Sequence, residues 1–294
     1  MTNVSNSFST NVPSINYSDL ALRQFLFLHP FNIDDIVVLN KPFGFGFYLK
    51  DSVHSLEKYL ENLSKQLKCD KLYTVHRIDL NTTGIMLLAK SQESCDHLKK
   101  MFAQRKIEKT YWTIVNGTPK PETAEIKIPI CEANFNGRYR MTLNPDYKTE
   151  SSLVKPKKFR NTSQNFPAVT HYKTLKAHGN AALLEVQPVT GYKHQVRVHL
   201  GLGLNTPVFN DHKYSYLQFD GKPQRIHGDL LNRLNVSRGN QSRKLPILLH
   251  AKSMIIPRLD SNNQYIRIES KLPHHFVKIM KSLKLRPSKL VSSF

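Results

Sequence analysis

Five apolar residues in succession, Ile85-Met86-Leu87-Leu88-Ala89, follow directly on a polar, charged segment, Val75-His76-Arg77-Ile78-Asp79-Leu80-Asn81-Thr82-Thr83-Gly84. A run this short, apolar at odd and even positions alike, reads as a strand buried on both faces. Such a strand needs neighbours in a sheet and helices to cover it. The chain offers both. Ile36-Val37-Val38-Leu39 is a second buried strand, ended by Asn40-Lys41-Pro42 and the glycines Gly44 and Gly46. Leu56, Leu60, Leu63 and Leu67 recur at helical spacing. Ser91 reads as the N-cap of another helix, with Cys95, Leu98 and Phe102 along one side. Further strands are expected over 110–115, 125–130, 169–175, 181–186, 245–256 and 265–268, and helices over 194–202 and 276–283. Strands and helices mix without a regular βαβ repeat. The expected fold class is mixed α/β (α+β): a central, largely antiparallel mixed sheet with flanking helices.

The 294 residues suit one large domain. Residues 1–24, Ser/Asn/Thr-rich and uncharged over the first 16, read as a flexible leader, and 25–294 as the folded domain. Two stretches rich in Lys, Arg, Asn and Ser, near 144–166 and 216–244, read as polar surface insertions. Charge is unevenly spread. The first 70 residues hold six Lys/Arg against seven Asp/Glu, whereas the remaining 224 hold 37 against 15. A polyanion is the natural partner of so basic a surface, and nucleic acid is the commonest one. Cys69, Cys95 and Cys131 form no close pair, which excludes a disulfide scaffold and a CxxC-type zinc site. No apolar run approaches the ~20 residues of a membrane-spanning helix, so no membrane partner is expected.

Two clusters carry chemistry. In the first, the pair His76-Arg77 precedes the lone carboxylate Asp79 and a polar turn ending in Gly84. A kinase catalytic loop would place Asp directly after His-Arg, but Ile78 intervenes, and no phosphate-binding loop is present. The second cluster, Thr190-Gly191-Tyr192-Lys193-His194-Gln195-Val196-Arg197-Val198-His199, runs from a turn into a helix. Taken singly, the first could be a capped surface loop and the second a solvated basic helix start.

Taken together, these segments resemble the RluA-type RNA pseudouridine synthases. That family's His-Arg-Leu-Asp, two variable residues, Thr-Ser-Gly and an apolar strand ending Ala-Lys is matched by 76–90, with Ile78 for Leu and Thr83 for Ser. Lys109-Thr110-Tyr111 resembles its Lys-x-Tyr, and Ala168-Val169-Thr170-His171-Tyr172 its Ala-x-Thr-x-Tyr strand. Thr190–His199 is similar to Thr-Gly-Arg-x-His-Gln-Ile-Arg-x-His, with Tyr192 for Arg. Pro207, Asp211 and Tyr214 follow the Pro-x-x-Gly-Asp-x-x-Tyr pattern with Asn210 for Gly, while Leu249-His250-Ala251 closes the set and Lys41-Pro42-x-Gly44 opens it.

The resemblance implies a pseudouridine synthase catalytic fold and an isomerase that needs no cofactor and no metal. The reaction breaks the N-glycosidic bond, turns the uracil, and joins its C5 to the ribose C1′. One carboxylate suffices, acting by attack at C1′ or by taking the C2′ proton. The resemblance assigns that carboxylate to Asp79, and to Arg197 the guanidinium that keeps it ionised and fixed. Tyr111 would stack on the uracil and help remove the C5 proton. Arg77 would fill the space left by the flipped base. His76, Lys109, Lys193 and His194 are expected to meet RNA. The implied partner is ribosomal or transfer RNA rather than DNA, bound by a monomer. The leader and basic body are similar to organellar members, so the mitochondrion is the expected compartment, with cytoplasm or nucleus as the alternative. A catalytically inactive RNA-binding or ribosome-assembly protein on the same fold is the competing reading.

Overall fold

The computed structural model describes residues 35–46, 56–135, 138–144, 165–215, 226–257 and 265–287. The leader, most of the 144–166 stretch, and 216–225 lie outside the described residues.

The buried run forms β3 (Thr83–Ala89), and every one of its residues is buried. It pairs antiparallel with β1 (Ile36–Lys41) along one edge and, through its last two residues, with the short β2 (Tyr73–Thr74) along the other. On the β2 edge its start also meets β10 (Leu249–Pro257) in the one parallel contact among the described strands, His250 opposite Thr83 and Ala251 opposite Gly84. From β10 the sheet continues antiparallel through β4 (Glu108–Asn116), β9 (Ala181–Pro188), β8 (Thr170–His178) and β5 (Thr123–Ile126). The strand β11 (Tyr265–Glu269) also pairs with β10. The expected mixed, largely antiparallel sheet is thus the fold that forms. A separate ribbon pairs β6 (Ile130–Phe135) with β7 (Arg138–Leu143).

Two faces follow from the alternation along the strands. On the front, Cys95, Leu98 and Met101 of α2 (Gln92–Ala103) pack on Ile85, Leu87 and Ala251. Beside them, Val196 and Leu200 pack on Val115, Leu184 and Val186. These two belong to α3 (Gln195–Val198) and the π-turn His199–Gly203 that continues it. On the back, α1 (Leu56–Gln66) places Leu63 against Met86 and Leu88. Also there, α4 (Gly228–Leu234) and α6 (His274–Ser282) cover Trp112, Ile114 and Leu183, and the short α5 (Asn240–Arg243) lies between Val236 and Leu245, which pack on the same cluster. The front helices leave a gap between them, and the site lies there.

Three expectations need correction. The strand expected over 125–130 is two, because Pro129 ends the sheet pairing and the chain leaves to form the ribbon. The strand expected from 245 starts at Leu249, after Pro246. Residues 226–244 of the expected polar insertion are no surface appendage. Leu230, Leu231 and Leu234 are buried in the core with Phe276 and Met280, on the face away from the cleft.

Candidate active site

The polar turn before β3 is held from several sides. Thr82 N donates to Asp79 O at 3.0 Å, closing the turn. The buried Lys41 donates through Nζ to the carbonyls of Leu80 (2.9 Å), Phe45 (2.9 Å) and Pro42 (3.1 Å). Burial, opposed only in part by the charge of Asp79, lowers the Lys41 pKa to about 7. Thr83 Oγ1 bonds His250 Nδ1 at 2.8 Å. Gly84 has φ +105°, and a Cβ there would lie within 3 Å of three backbone atoms of Ala251. Only glycine lets β3 and β10 approach so closely at this conformation. The turn is thereby fixed where Asp79 enters the gap between α2 and α3.

The second cluster meets it there. Asp79 Oδ2 accepts from Arg197 Nη1 at 2.9 Å, across 118 residues of sequence. The rest of the same guanidinium is gripped by Asp211, with Nε to Oδ2 at 2.7 Å and Nη2 to Oδ1 at 2.9 Å. Asp211 Oδ1 also accepts from the backbone N–H groups of Lys213 (2.9 Å) and Tyr214 (3.2 Å). Desolvation would lower the Arg197 pKa, but the bonds and charges of Asp211 and Asp79 outweigh it and raise it. Tyr111, from β4, lines the same cleft, and burial and then the Asp79 charge raise its hydroxyl pKa. The cleft has a volume of about 430 Å³ and is also lined by Arg77 and Lys109. Desolvation, then Arg105, lowers the Lys109 pKa to about 8.

The remainder of the second cluster is a buried polar lock. Thr190 Oγ1 donates to Gln195 Oε1 (2.7 Å), and Gln195 Nε2 donates to Thr170 Oγ1 (2.9 Å). His199 bonds Thr170 Oγ1 through Nδ1 and the Ile128 carbonyl through Nε2, each at 2.9 Å. The carbonyl requires the proton on Nε2, so Thr170 donates to Nδ1. Tyr192, where the RluA-type pattern has Arg, packs its ring at a tilt against Phe166, the centroids 5.0 Å apart. Asn210 takes φ +60°, the left-handed conformation for which Asn is the best substitute for Gly.

Asp79, Tyr111 and Arg197 therefore come together, with Arg77 and Lys109 beside them. Two of the residues expected to meet RNA are bonded within the fold. His76 Nε2 accepts from Leu87 N at 2.9 Å, and desolvation lowers its pKa to about 3, so it is a neutral brace for β3. His194 turns inward at φ +58°, bonded to the Tyr214 hydroxyl and with Nε2 3.7 Å from Asp79 Oδ1. Desolvation lowers its pKa to about 4. Lys193 is exposed and paired with Glu132 at 2.9 Å. Asp211, Tyr214 and Lys41 stand out in the sequence only as parts of a pattern. Their signal was position beside motif residues, and nothing local gave them a role.

One accessible carboxylate clasped by a buried guanidinium, beside an aromatic ring and cations in one cleft, is the equipment of an enzyme acting on an anionic substrate. The family model for RNA pseudouridylate synthase matches residues 35–201, and the chain belongs to that family, whose members are isomerases acting on RNA. It is 36% identical over 258 residues to the mitochondrial pseudouridylate synthase RPUSD4 of Rattus norvegicus, covering 85% of this chain and 67% of that protein. With the Homo sapiens protein of the same name the identity is 35% over 259 residues, covering 85% and 67%. Identity to the ribosomal large subunit pseudouridine synthase C of Rickettsia bellii is 28%, over 84% of this chain and 68% of that one. The solved structure of Human RNA Pseudouridylate Synthase Domain Containing 4 superposes with a TM-score of 0.74 at 34% identity, covering 91% of this chain and 95% of that one.

Proposed function

We propose that this chain isomerises uridine to pseudouridine in ribosomal or transfer RNA of the mitochondrion, with Asp79 as the reactive carboxylate. The observation that carries the reading is the Arg197 bridge, which fixes Asp79 Oδ2 at 2.9 Å. Among the described residues, Oδ1 is left with only the longer approach of His194 at 3.7 Å. Oδ1 is then the oxygen available to the ribose. It acts at C1′ or takes the C2′ proton as the N1–C1′ bond breaks. The detached uracil rotates in the cleft, its C5 bonds to C1′ as the Oδ1–C1′ bond breaks or, in the other route, as the proton returns to C2′, and the C5 proton is lost while N1 gains one. Atoms balance without an oxidant or an energy source.

Tyr111 supports the uracil by stacking. Its phenol is protonated at neutral pH, the more so with its pKa raised, and it serves as a relay, passing its own proton to solvent in the cleft as it accepts that of C5 while N1 takes one up from solvent. Arg77 occupies the gap in the RNA stack, and Lys109 meets a phosphate. The mitochondrial assignment is supported by the names of the RPUSD4 relatives.

The decisive experiment is Asp79→Asn in a single-turnover assay. An amide supplies neither the nucleophile nor the base, so conversion should be abolished. RNA affinity, dominated by phosphate contacts, should stay near the wild-type value. Near-normal conversion by this variant would remove Asp79 from the chemistry.

A further inference from the structure

The helical layer behind the sheet carries charge that the cleft does not use. With Leu230, Leu231, Leu234, Phe276, Ile279 and Met280 buried inward, the outward sides of the layer are basic. Arg238, Arg243 and Lys244 beside and in α5, and Lys281 and Lys284 at the end of α6, are all exposed. Residues 226–245 and 272–287 together contain a single carboxylate, Asp229. That carboxylate accepts from Asn180 Nδ2 at 3.2 Å and lies 3.8 Å from His227 Nδ1. None of the five cations has an ion-pair partner among the described residues. Elsewhere on the surface, Lys65 pairs with Glu61, Lys193 with Glu132 and Arg267 with Glu269.

Solubility does not account for this. A chain already at +21 gains nothing in solubility from gathering like charges on one face, where they repel one another. The exposed large apolar side chains among the described residues, Leu80, Tyr139, Val189 and Tyr265, all lie outside this layer. The face therefore has nothing to insert into lipid, and a hydrated phosphate backbone suits it better.

We propose that the α4–α6 face is a second RNA-binding surface, one that holds the phosphate backbone of a folded RNA at a place remote from the uridine in the cleft. The two surfaces lie on opposite sides of a three-layer body, each layer about 10 Å thick, so a short strand in the cleft does not reach the back. Only a large folded RNA spans both. The proposal rests on the reading that the substrate is RNA, and it is independent of the role of Asp79.

The test is a full-chain variant carrying Arg238→Gln, Arg243→Gln, Lys244→Gln, Lys281→Gln and Lys284→Gln. It is compared with wild type in salt titrations on two probes, a short single-stranded oligoribonucleotide and a folded ribosomal RNA transcript. On the transcript, affinity should fall at least about tenfold, and the log–log salt slope should lose up to about 3.5, or ~0.7 per phosphate contact. Binding to the oligonucleotide and its turnover should be unchanged. An unchanged slope on the transcript overturns the proposal and leaves a solvated face. Equal loss on both probes overturns it too, because the charges then act as a general field. Loss confined to phosphatidylserine vesicles would assign the face to a lipid surface instead. Should the fivefold variant unfold, Lys281→Gln with Lys284→Gln alone should remove up to about 1.4 from the slope. The same titration with Asp79→Asn in the background should give the same differences, so failure of the catalytic reading shows separately as lost turnover with the slopes intact.

Discussion

Replacing Asp211 by Asn tests whether Arg197 is held or merely present. The carboxylate side chain is fully buried and accepts four hydrogen bonds, two from the guanidinium and two from backbone N–H groups. An amide of the same shape can keep the three bonds at Oδ1, but it then presents its NH₂ to the Arg197 Nε–H, donor against donor. Removing one partner of a buried pair costs about 3–5 kcal/mol. Arg197 retains Asp79, so the lower end, about 3 kcal/mol, is expected. For a chain of this size that is a fall in Tm of roughly 6–12 °C. The rate should fall further than stability explains, since a guanidinium displaced by about 1 Å misplaces Asp79 and costs on the order of 10²-fold. Thermal unfolding and single-turnover conversion, measured well below the variant's Tm, separate the two effects. In an Arg197→Met background the same substitution should change the rate little, because the residue acts only through Arg197. A variant within about 1 kcal/mol of wild type and equally fast would refute the reasoning.

Tyr111→Phe should still bind RNA but slow product formation in single-turnover assays, and wild-type kinetics would exclude the hydroxyl from proton transfer. Gly84→Ala should destabilise by about 2–4 kcal/mol in urea denaturation, through positive φ and collision with the Ala251 backbone, and a smaller loss would mean that the β3–β10 contact can open. Acid should unfold the protein early: the fully buried His199 and His250 have pKa values lowered to about 4 and about 3, chiefly by desolvation, so the unfolded chain binds more protons as pH falls below 6.5. Stability is then full above about pH 6.5 and drops by roughly 1 kcal/mol per pH unit for each imidazole on the way down to pH 4, and a Tm flat over that window would count against neutral buried histidines.

Where the sequence was legible, the signal was local. Five apolar residues in a row gave β3, and Ser91 caps α2 as read, its Oγ accepting from Ser94 N at 3.2 Å. The back layer was not legible because its evidence is non-local. Leu230, Leu231 and Leu234 sit among Asn and Arg, and the surface that buries them, around Phe276 and Met280, lies more than 40 residues away. Composition registered only the exposed side of 226–244 and so suggested a loose insertion. The histidines were hard to read for a related reason. A sequence shows that His76 and His194 can carry charge, but only the Leu87 N–H that donates to His76 and the desolvation of both rings favour the neutral forms.

The two carboxylates on Arg197 show what the sequence could and could not separate. Asp79 and Asp211 are the same residue type, both lie in motif segments, and both bond the same guanidinium at 2.7–2.9 Å. Residue type alone does not separate them; the resemblance at 76–84 points to Asp79, and burial supports the same proposed assignment. The Asp211 side chain has no exposure, and its oxygens are saturated by four N–H donors, so it has no capacity left for a substrate. Asp79 keeps 23% of its side chain exposed to the cleft, with one oxygen tied and the other open. A guanidinium between them turns the difference in access into a division of labour: the buried acid spends its charge on geometry, and the accessible one receives an arginine already oriented. Exchanging the surroundings, not the residues, would exchange the roles.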